Sequence, residues 1–527
     1  MKVLISDKVD PGCADILQEN PQIQVDTQTD LTPDQLKAVI SQYEGLIVRS
    51  ATQVSEEVLL EAKKLRVVGR AGAGVDNIDV DAATRQGVIV MNTPGGNSVS
   101  TAEHSFAMLM ALSRNIPQAT ASLKAGRWDR SHYTGVELRG KTLGIVGLGK
   151  VGRELAQRSA AFKMKVLGYD PFVSEEMALA YNTQLASLEE IYAQADFISV
   201  HLPLTPQTKH SISDDVLAKC KDGVRLLNCA RGGIIDEEAL LRGLDSGKVA
   251  GAALDVFEEE PPAPGRPLIA HERVICTPHL AASTHEAQAS VALQVARQVG
   301  DALMDRVILN AVNVPSVEPE IYQIMRPYLD LAERLGRLQA QLGEGQLERI
   351  TVEYHGDVNA HPTSPLTAAV LKGIMSTISY EPINFVNAPI LAQERGVRVD
   401  ELKSTEHEDY TSLITVVYQT TSGRRVLSGT IFGKGDPRLV RLDEYSFDAV
   451  PAGNMLFYVN EDLPGIIGQI GTMMGGHQVN IAQMACGRHK VGGKALTVFT
   501  VDGAISDQVL DEISGQSYIS WAKRVQL

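Results

Sequence analysis

Between an apolar run, Thr142–Val146, and a helical pattern, Arg153–Phe162, the chain carries Gly147-Leu148-Gly149-Lys150-Val151-Gly152. A second strand-like run, Lys165–Tyr169, follows and ends on Asp170. Each part has a physical use. The first glycine permits a tight turn, and the second lets the backbone approach a pyrophosphate. The third lets helix and strand pack closely, and the helix N-terminus faces the phosphates. An acid about 20 residues past the last glycine accepts hydrogen bonds from a ribose 2′-OH and repels a 2′-phosphate. The pattern predicts a parallel α/β unit that binds a dinucleotide, NAD in preference to NADP.

The rest of the chain must be fitted around that unit. At 527 residues it has room for three or four domains. Strand-like runs alternate with helical patterns through roughly the first 310 residues, the signature of parallel sheets. One set, Lys2–Ser6, Gly45–Val48, Arg66–Gly69 and Val88–Met91, precedes the fingerprint. A second comprises Thr142–Val146, Lys165–Tyr169, Phe197–Val200, Val224–Asn228, Val249–Leu254 and Val274–Cys276. Since a first βαβ unit normally carries the fingerprint, the earlier set is expected to form a separate α/β domain. A helix from about Val99 to Leu123 leads out of it. A second helix, opening with a capping box at Ser283-Thr284-His285-Glu286 and running to about Arg306, is expected to return to it. The expected architecture is α/β, with two Rossmann-like parallel-sheet domains, one discontinuous (1–98 with 283–313) and one spanning 99–282. Val314–Pro319 looks like a linker, and a mixed α+β region runs to 450. From 453 to 527 a β-α-β-β order fits a small ferredoxin-like module.

A net charge of −15 and the lack of a basic stripe argue against a nucleic-acid partner. No apolar run approaches the ~20 residues that span a bilayer, and the first residues read as a strand rather than a secretory signal. Five scattered cysteines without C-x-x-C spacing read as reduced thiols of a cytoplasmic protein. The histidines show no metal-ligand spacing, and no G-x-S-x-G elbow occurs.

Ligands of parallel sheets bind beyond the carboxyl ends of strands. Val224–Asn228 is followed by Cys229-Ala230-Arg231, Val249–Leu254 by Asp255 and the acids Glu258-Glu259-Glu260, and Val274–Cys276 by Thr277-Pro278-His279. A histidine suits abstraction of a hydroxyl proton, an arginine's fork suits a carboxylate, and one acid of the three suffices to orient the histidine. His201, after Phe197–Val200, reads as structural or loosely cofactor-adjacent. In the first set, strands end at Arg49-Ser50, at Arg70-Ala71-Gly72-Ala73-Gly74 and before Asn97. Two arginines with glycine loops suit a small, multiply anionic substrate. Arg49, Ser50, Arg70, Gly72 and Asn97 are its expected contacts.

These residues resemble the D-isomer-specific 2-hydroxy-acid dehydrogenase family over essentially the whole chain, in its long, three-module form. The most specific strings are Val68-Gly69-Arg70-Ala71-Gly72 with Gly74-Val75-Asp76-Asn77, Asn228–Gly233, Asp255-Val256-Phe257 with Glu260-Pro261-Pro262, and Pro278-His279-Leu280. The resemblance implies NAD-dependent oxidation of 3-phospho-D-glycerate to 3-phosphohydroxypyruvate, the first step of L-serine synthesis. It implies Arg231, Glu260 and His279 as the catalytic set. Cofactor contacts carried over fall on Ala73, Gly147, Gly149, Lys150, Val151, Gly152, Asp170, Leu202, Cys229, Asp255 and His279. Relatives often have threonine at position 73, so a hydroxyl contact is lost there. Trp128 and Arg130 are implied to approach a neighbouring subunit's site, which requires a homodimer or larger, up to a tetramer.

The tail resembles an ACT domain through Asn460–Gly465 and Val479-Asn480-Ile481. Serine-regulated relatives bind L-serine through polar residues at the places of Asn460, Asp462 and Asn480, although some have histidine and asparagine at the first two. Glyoxylate, hydroxypyruvate or D-lactate chemistry is the alternative within the family, but such enzymes stop near residue 330. An NADH-sensing corepressor on the same fold is the alternative outside enzymology.

Overall fold

The computed structural model describes residues 1–306, 308–314, 319–379, 382–406, 409–433 and 435–527. The linker expected at Val314–Pro319 therefore falls, at 315–318, outside the described residues. The described residues form four sheets. The first orders its strands Gln24–Thr27, Lys2–Ile5, Gly45–Val48, Val67–Arg70 and Ile89–Met91, all parallel. The second runs Val274–Cys276, Val249–Leu254, Val224–Asn228, Phe197–Val200, Thr142–Val146, Lys165–Tyr169 and Gln184–Leu185, also parallel. Both are the doubly wound sheets expected from near-continuous apolar strands flanked by helices.

Helix His285–Leu303 packs on the first sheet, burying Val291, Val295 and Val299 with Val3, Ile5 and Val67. Gly69 permits this approach, because a Cβ there would lie 2.5 Å from a Val299 methyl. The helix stops at Leu303, short of Arg306, and its cap is Thr284, whose hydroxyl accepts from the Ala287 N–H. The expected capping box at Ser283 does not form. The expected helix Val99–Leu123 is two helices, Ser98–Arg114 and Ile116–Lys124. Asn115 breaks it, in left-handed backbone (φ 54°), which asparagine tolerates better than most residues.

The third sheet is mixed. Leu347–Gly356 pairs in parallel with Arg398–Ser404, while the remaining neighbours, through Ser412–Thr420, Gly423–Phe432, Asp436–Leu442 and Tyr445–Ala449, are antiparallel. The fourth is antiparallel, ordered Ile481–Arg488, Lys494–Val501, Asn454–Glu461 and Ile519–Gln526. The β-α-β-β reading of the tail stops short. A second helix, Asp507–Ser514, and a fourth strand complete β-α-β-β-α-β. Period-two burial divides the strand Asn454–Glu461 between two cores. Leu456 and Tyr458 pack under the module's helices, whereas Met455 and Phe457 join the core of the third sheet. The last two sheets therefore share one apolar interior.

Candidate active site

The fingerprint lies where the second sheet reverses direction. From Thr142–Val146 the chain first builds outward on one side, then resumes at Phe197–Val200 on the other. A crevice at this switch point is where such sheets bind dinucleotides. The glycines meet the steric demands one by one. Gly147 takes φ 101°, and a Cβ on it would sit 2.5 Å from the His201 carbonyl oxygen. A Cβ on Gly152 would lie 2.1 Å from the Gly147 oxygen, so helix Lys150–Ala161 could not come so close with any other residue. Gly149 faces open space, as a position approached by a pyrophosphate must. The Asp170 carboxylate accepts from the Leu148 and Phe172 N–H groups, both at 2.9 Å, which fixes it beside the turn. The residues present fit NAD.

Other expected cofactor contacts differ in character. Val151 and Leu202 are half-buried around the turn. Lys150 sends its ammonium to the Pro94 carbonyl at 3.1 Å, so it tethers the loop after the first sheet's edge strand to the fingerprint. Cys229 is buried, and burial pushes its thiol up to about 12, leaving it protonated. Asp255 is fully buried. Its carboxylate accepts from the Thr277 hydroxyl (2.6 Å) and from the Leu280 and Ala281 N–H groups (2.7 and 2.9 Å), and it pairs with His104 at 3.3 Å. Those bonds pin the loop that carries His279. His201 bonds its ring to the Ser199 hydroxyl at 2.9 Å, in keeping with a structural part.

Across from the fingerprint a cleft of about 620 Å³ opens between the first two sheets. Arg49, Ser50, Arg70, Gly72, Ala73 and Asn97 line one wall; Arg231, Glu260 and His279 line the other. Backbone contact assembles the second wall. Gly232 runs so close to the next strand's loop that a Cβ would lie 1.8 Å from the Phe257 oxygen, which brings the Arg231 and Glu260 loops together. Glu260 Oε1 accepts from the Phe257 N–H at 3.0 Å, and its Oε2 lies 2.7 Å from His279 Nδ1. His279 sits in left-handed backbone (φ 51°), an uncommon state for a non-glycine residue, and its ring is half-exposed to the cleft. Burial pushes the Glu260 carboxyl up. The His279 hydrogen bond, the Phe257 N–H and the His279 charge outweigh that and hold it below the ordinary range.

The arginines are held as firmly. Arg70 Nε donates to the Arg49 carbonyl (3.1 Å) and to Asn77 Oδ1 (2.8 Å). Asp7 accepts from the Arg49 N–H at 2.5 Å. Burial and the nearby Arg231 charge pull Arg70 down to about 10, so it remains a cation at neutral pH. Arg231 Nε donates to Asp76 Oδ2 at 3.0 Å. Asp7, Asp76, Asn77, His104 and Thr277 were given no role in the sequence. Most of their partners are distant in the chain, and only Asp76-Asn77 and Thr277 lay inside quoted strings. Trp128 and Arg130 are exposed and do not line this cleft.

In the last module Asn460 is buried, its Nδ2 donating to the Glu461 carbonyl at 2.7 Å while its Oδ1 has no partner among the described residues. Asp462 accepts from Arg488 and the Gly492 N–H, and Asn480 donates to Asp502.

Known proteins resemble this chain in sequence and fold. The NAD binding domain of D-isomer specific 2-hydroxyacid dehydrogenases matches residues 106–281, the D-3-phosphoglycerate dehydrogenase intervening domain 324–443, and the ACT domain 454–516. A D-3-phosphoglycerate dehydrogenase of Synechocystis sp. is 43% identical across 100% of this chain and 95% of its own. The chain belongs to the D-3-phosphoglycerate dehydrogenase family. One of Archaeoglobus fulgidus is 41% identical over the full length of both proteins. The solved D-lactate dehydrogenase of Aquifex aeolicus, complexed with NAD and lactic acid, superposes with a TM-score of 0.52 at 28% identity, covering 60% of this chain and 100% of its own. As a member of this family the protein is an NAD-dependent dehydrogenase with an ACT domain. Among the described residues no helix is long and apolar enough to cross a membrane.

Proposed function

We propose that the protein oxidises 3-phospho-D-glycerate to 3-phosphohydroxypyruvate with NAD, opening L-serine synthesis, and that L-serine regulates it through the ACT domain. The observation that carries the substrate assignment is the convergence of Arg49, Arg70 and Arg231 on the cleft that holds the His279–Glu260 pair. Lactate or glycerate carries one negative charge and needs one cation. A phosphorylated acid carries charge at both ends and calls for more, spread along the cleft.

In this reading the unit 1–98 with 283–313 binds substrate, 99–282 binds NAD, and 314–450 with 453–527 regulates. Arg231 holds the substrate carboxylate and polarises the C2 oxygen. Arg49, Ser50, Arg70, Gly72 and Asn97 take the phosphate and the rest of the molecule. With Nδ1 facing Glu260, Nδ1 bears the ring proton and Nε2 is the base that accepts the C2 hydroxyl proton. Glu260, already ionised, then stabilises the imidazolium. Bound NAD supplies the acceptor for the C2 hydride. Asn460, Asp462 and Asn480 bind serine. The protein works in the cytoplasm as a homodimer or homotetramer, with Trp128 and Arg130 reaching toward a neighbouring subunit. Trp128, 76% exposed, supports that, since an indole left in water is a natural contact.

The test is the ratio of kcat/KM for 3-phospho-D-glycerate to that for unphosphorylated D-glycerate. A ratio of about 10² or more is expected, the size of discrimination when charged partners are left unpaired. A ratio near one, or a preference for lactate or glycerate, would refute the assignment, as would tight NADH binding with no turnover of any 2-hydroxy acid.

A further inference from the structure

The loop that follows the strand Val67–Arg70 and the loop that follows the strand Val224–Asn228 come from different sheets, and an ion pair joins them. Asp76 Oδ2 of the first accepts from Arg231 Nε of the second at 3.0 Å. Arg231 Nη1 is also spoken for, donating to the Ala230 carbonyl at 2.7 Å. A guanidinium is planar, so fixing Nε and Nη1 fixes the direction of Nη2. That atom faces Gly74, where a Cβ would be 1.9 Å away, so it lies against the glycine loop that closes the cleft.

We propose that Asp76 is a positioning residue for Arg231: from across the cleft, its carboxylate sets which edge of the guanidinium is presented to the substrate. The inference rests on the reading of Arg231 as the group that holds the substrate carboxylate. Three further observations support it. Arg49, Arg70 and Arg231 crowd one wall-to-wall space, and like charges so placed repel. The other carboxylates nearby are committed elsewhere, Asp7 to the Arg49 N–H and Thr52 and Glu260 to His279 and Phe257. Asp76 itself is 68% exposed, so it fills no core and its carboxylate is not needed for packing. Its contact also joins the two walls, so Arg231 is aimed only when the walls stand in register.

The experiment uses the full-length protein with Asp76→Asn, Asp76→Glu, Arg231→Lys and the double variant Asp76→Asn/Arg231→Lys. Asp76→Asn should lower kcat about 10-fold or more, while KM for 3-phospho-D-glycerate stays level or falls, since a negative charge has left an anion site. Asp76→Glu should restore much of kcat. NADH affinity and Tm should hold. In the Arg231→Lys background, which has no Nε–H fork to aim, Asp76→Asn should cost nothing further. Asp76→Ser carries the same expectations as Asp76→Asn, so failure of one variant to fold leaves the other. If Asp76→Asn turns over within two-fold of the parent, or if its loss simply adds to that of Arg231→Lys, the proposal is wrong. If Arg231→Lys itself keeps full turnover, the reading of Arg231 falls and this inference falls with it.

Discussion

His279 Nδ1 and Glu260 Oε2 stand 2.7 Å apart although 19 residues separate them in the chain. The pair exists because two strand-end loops of one parallel sheet meet at its carboxyl edge, where His279 takes left-handed backbone.

Glu260→Gln keeps the shape of that contact and removes its charge. Turnover should fall roughly 10- to 100-fold, the effect of losing an orienting carboxylate behind a functional histidine in metal sites. A pH consequence follows from the depressed Glu260 carboxyl. A carboxyl lowered in the folded state stabilises the fold above its unfolded value of about 4.3, and the gain is lost as pH falls through the folded value. The Tm advantage of the parent over Glu260→Gln should therefore be constant near neutrality and close in acid below about pH 4. A gap that widens in acid would contradict the assigned direction.

Gly74→Ala tests how tightly Arg231 is fitted. The added methyl carbon would lie 1.9 Å from Nη2 and 2.7 Å from Asp76 Oδ2, so the guanidinium must move. A displacement of about 1 Å in a positioned group costs on the order of 10²-fold in rate. kcat/KM should drop by that order while NADH binding is retained. An unchanged kcat/KM would show that Arg231 works from another position.

Asp170→Asn tests the cofactor choice. Under the proposed reading, the carboxylate that accepts from the Leu148 and Phe172 N–H groups is what would repel a 2′-phosphate. NADH should bind about 10-fold more weakly, as expected for hydrogen bonds lost from a charged acceptor, and the preference for NADH over NADPH should narrow. Undiminished discrimination would move the selectivity elsewhere.

Serine binding is best measured by titration calorimetry on the whole chain. Excising the ACT domain would bare Met455, Phe457, Leu496 and Val498, which share their core with the third sheet. L-Serine should give a saturable heat that Asn460→Ala and Asp462→Ala weaken about 10-fold or more, with loss of inhibition in step. No heat with the parent protein would remove serine as the effector.

Much of this was legible in the chain, and the limits have physical causes. All six apolar strands named in the second sheet fall where expected, because strands buried on both faces write themselves as continuous apolar runs. The edge strand Gln24–Thr27 was missed because its residues are exposed or half-exposed, and Gln184–Leu185 because two residues carry no pattern. Asn115 ended a helix whose apolar pattern continued past it, so periodicity alone ran the two helices together. The final strand, Ile519–Gln526, was hidden by lysine and arginine in a half-buried sequence. At the site, strand ends announced Arg231, His279 and a run of three acids, of which the family resemblance implied Glu260. The Asp76–Arg231 pair bridges 155 residues and two sheets, so it had no local signal.

The account stands or falls on His279 as the proton acceptor. The direct measurement is NADH formation from 3-phospho-D-glycerate, followed at the NADH absorbance band, for His279→Ala beside the parent, with NADH affinity measured in parallel. A fall in turnover of about 10²-fold or more with NADH binding intact is expected. Near-parental turnover by His279→Ala would contradict the mechanism.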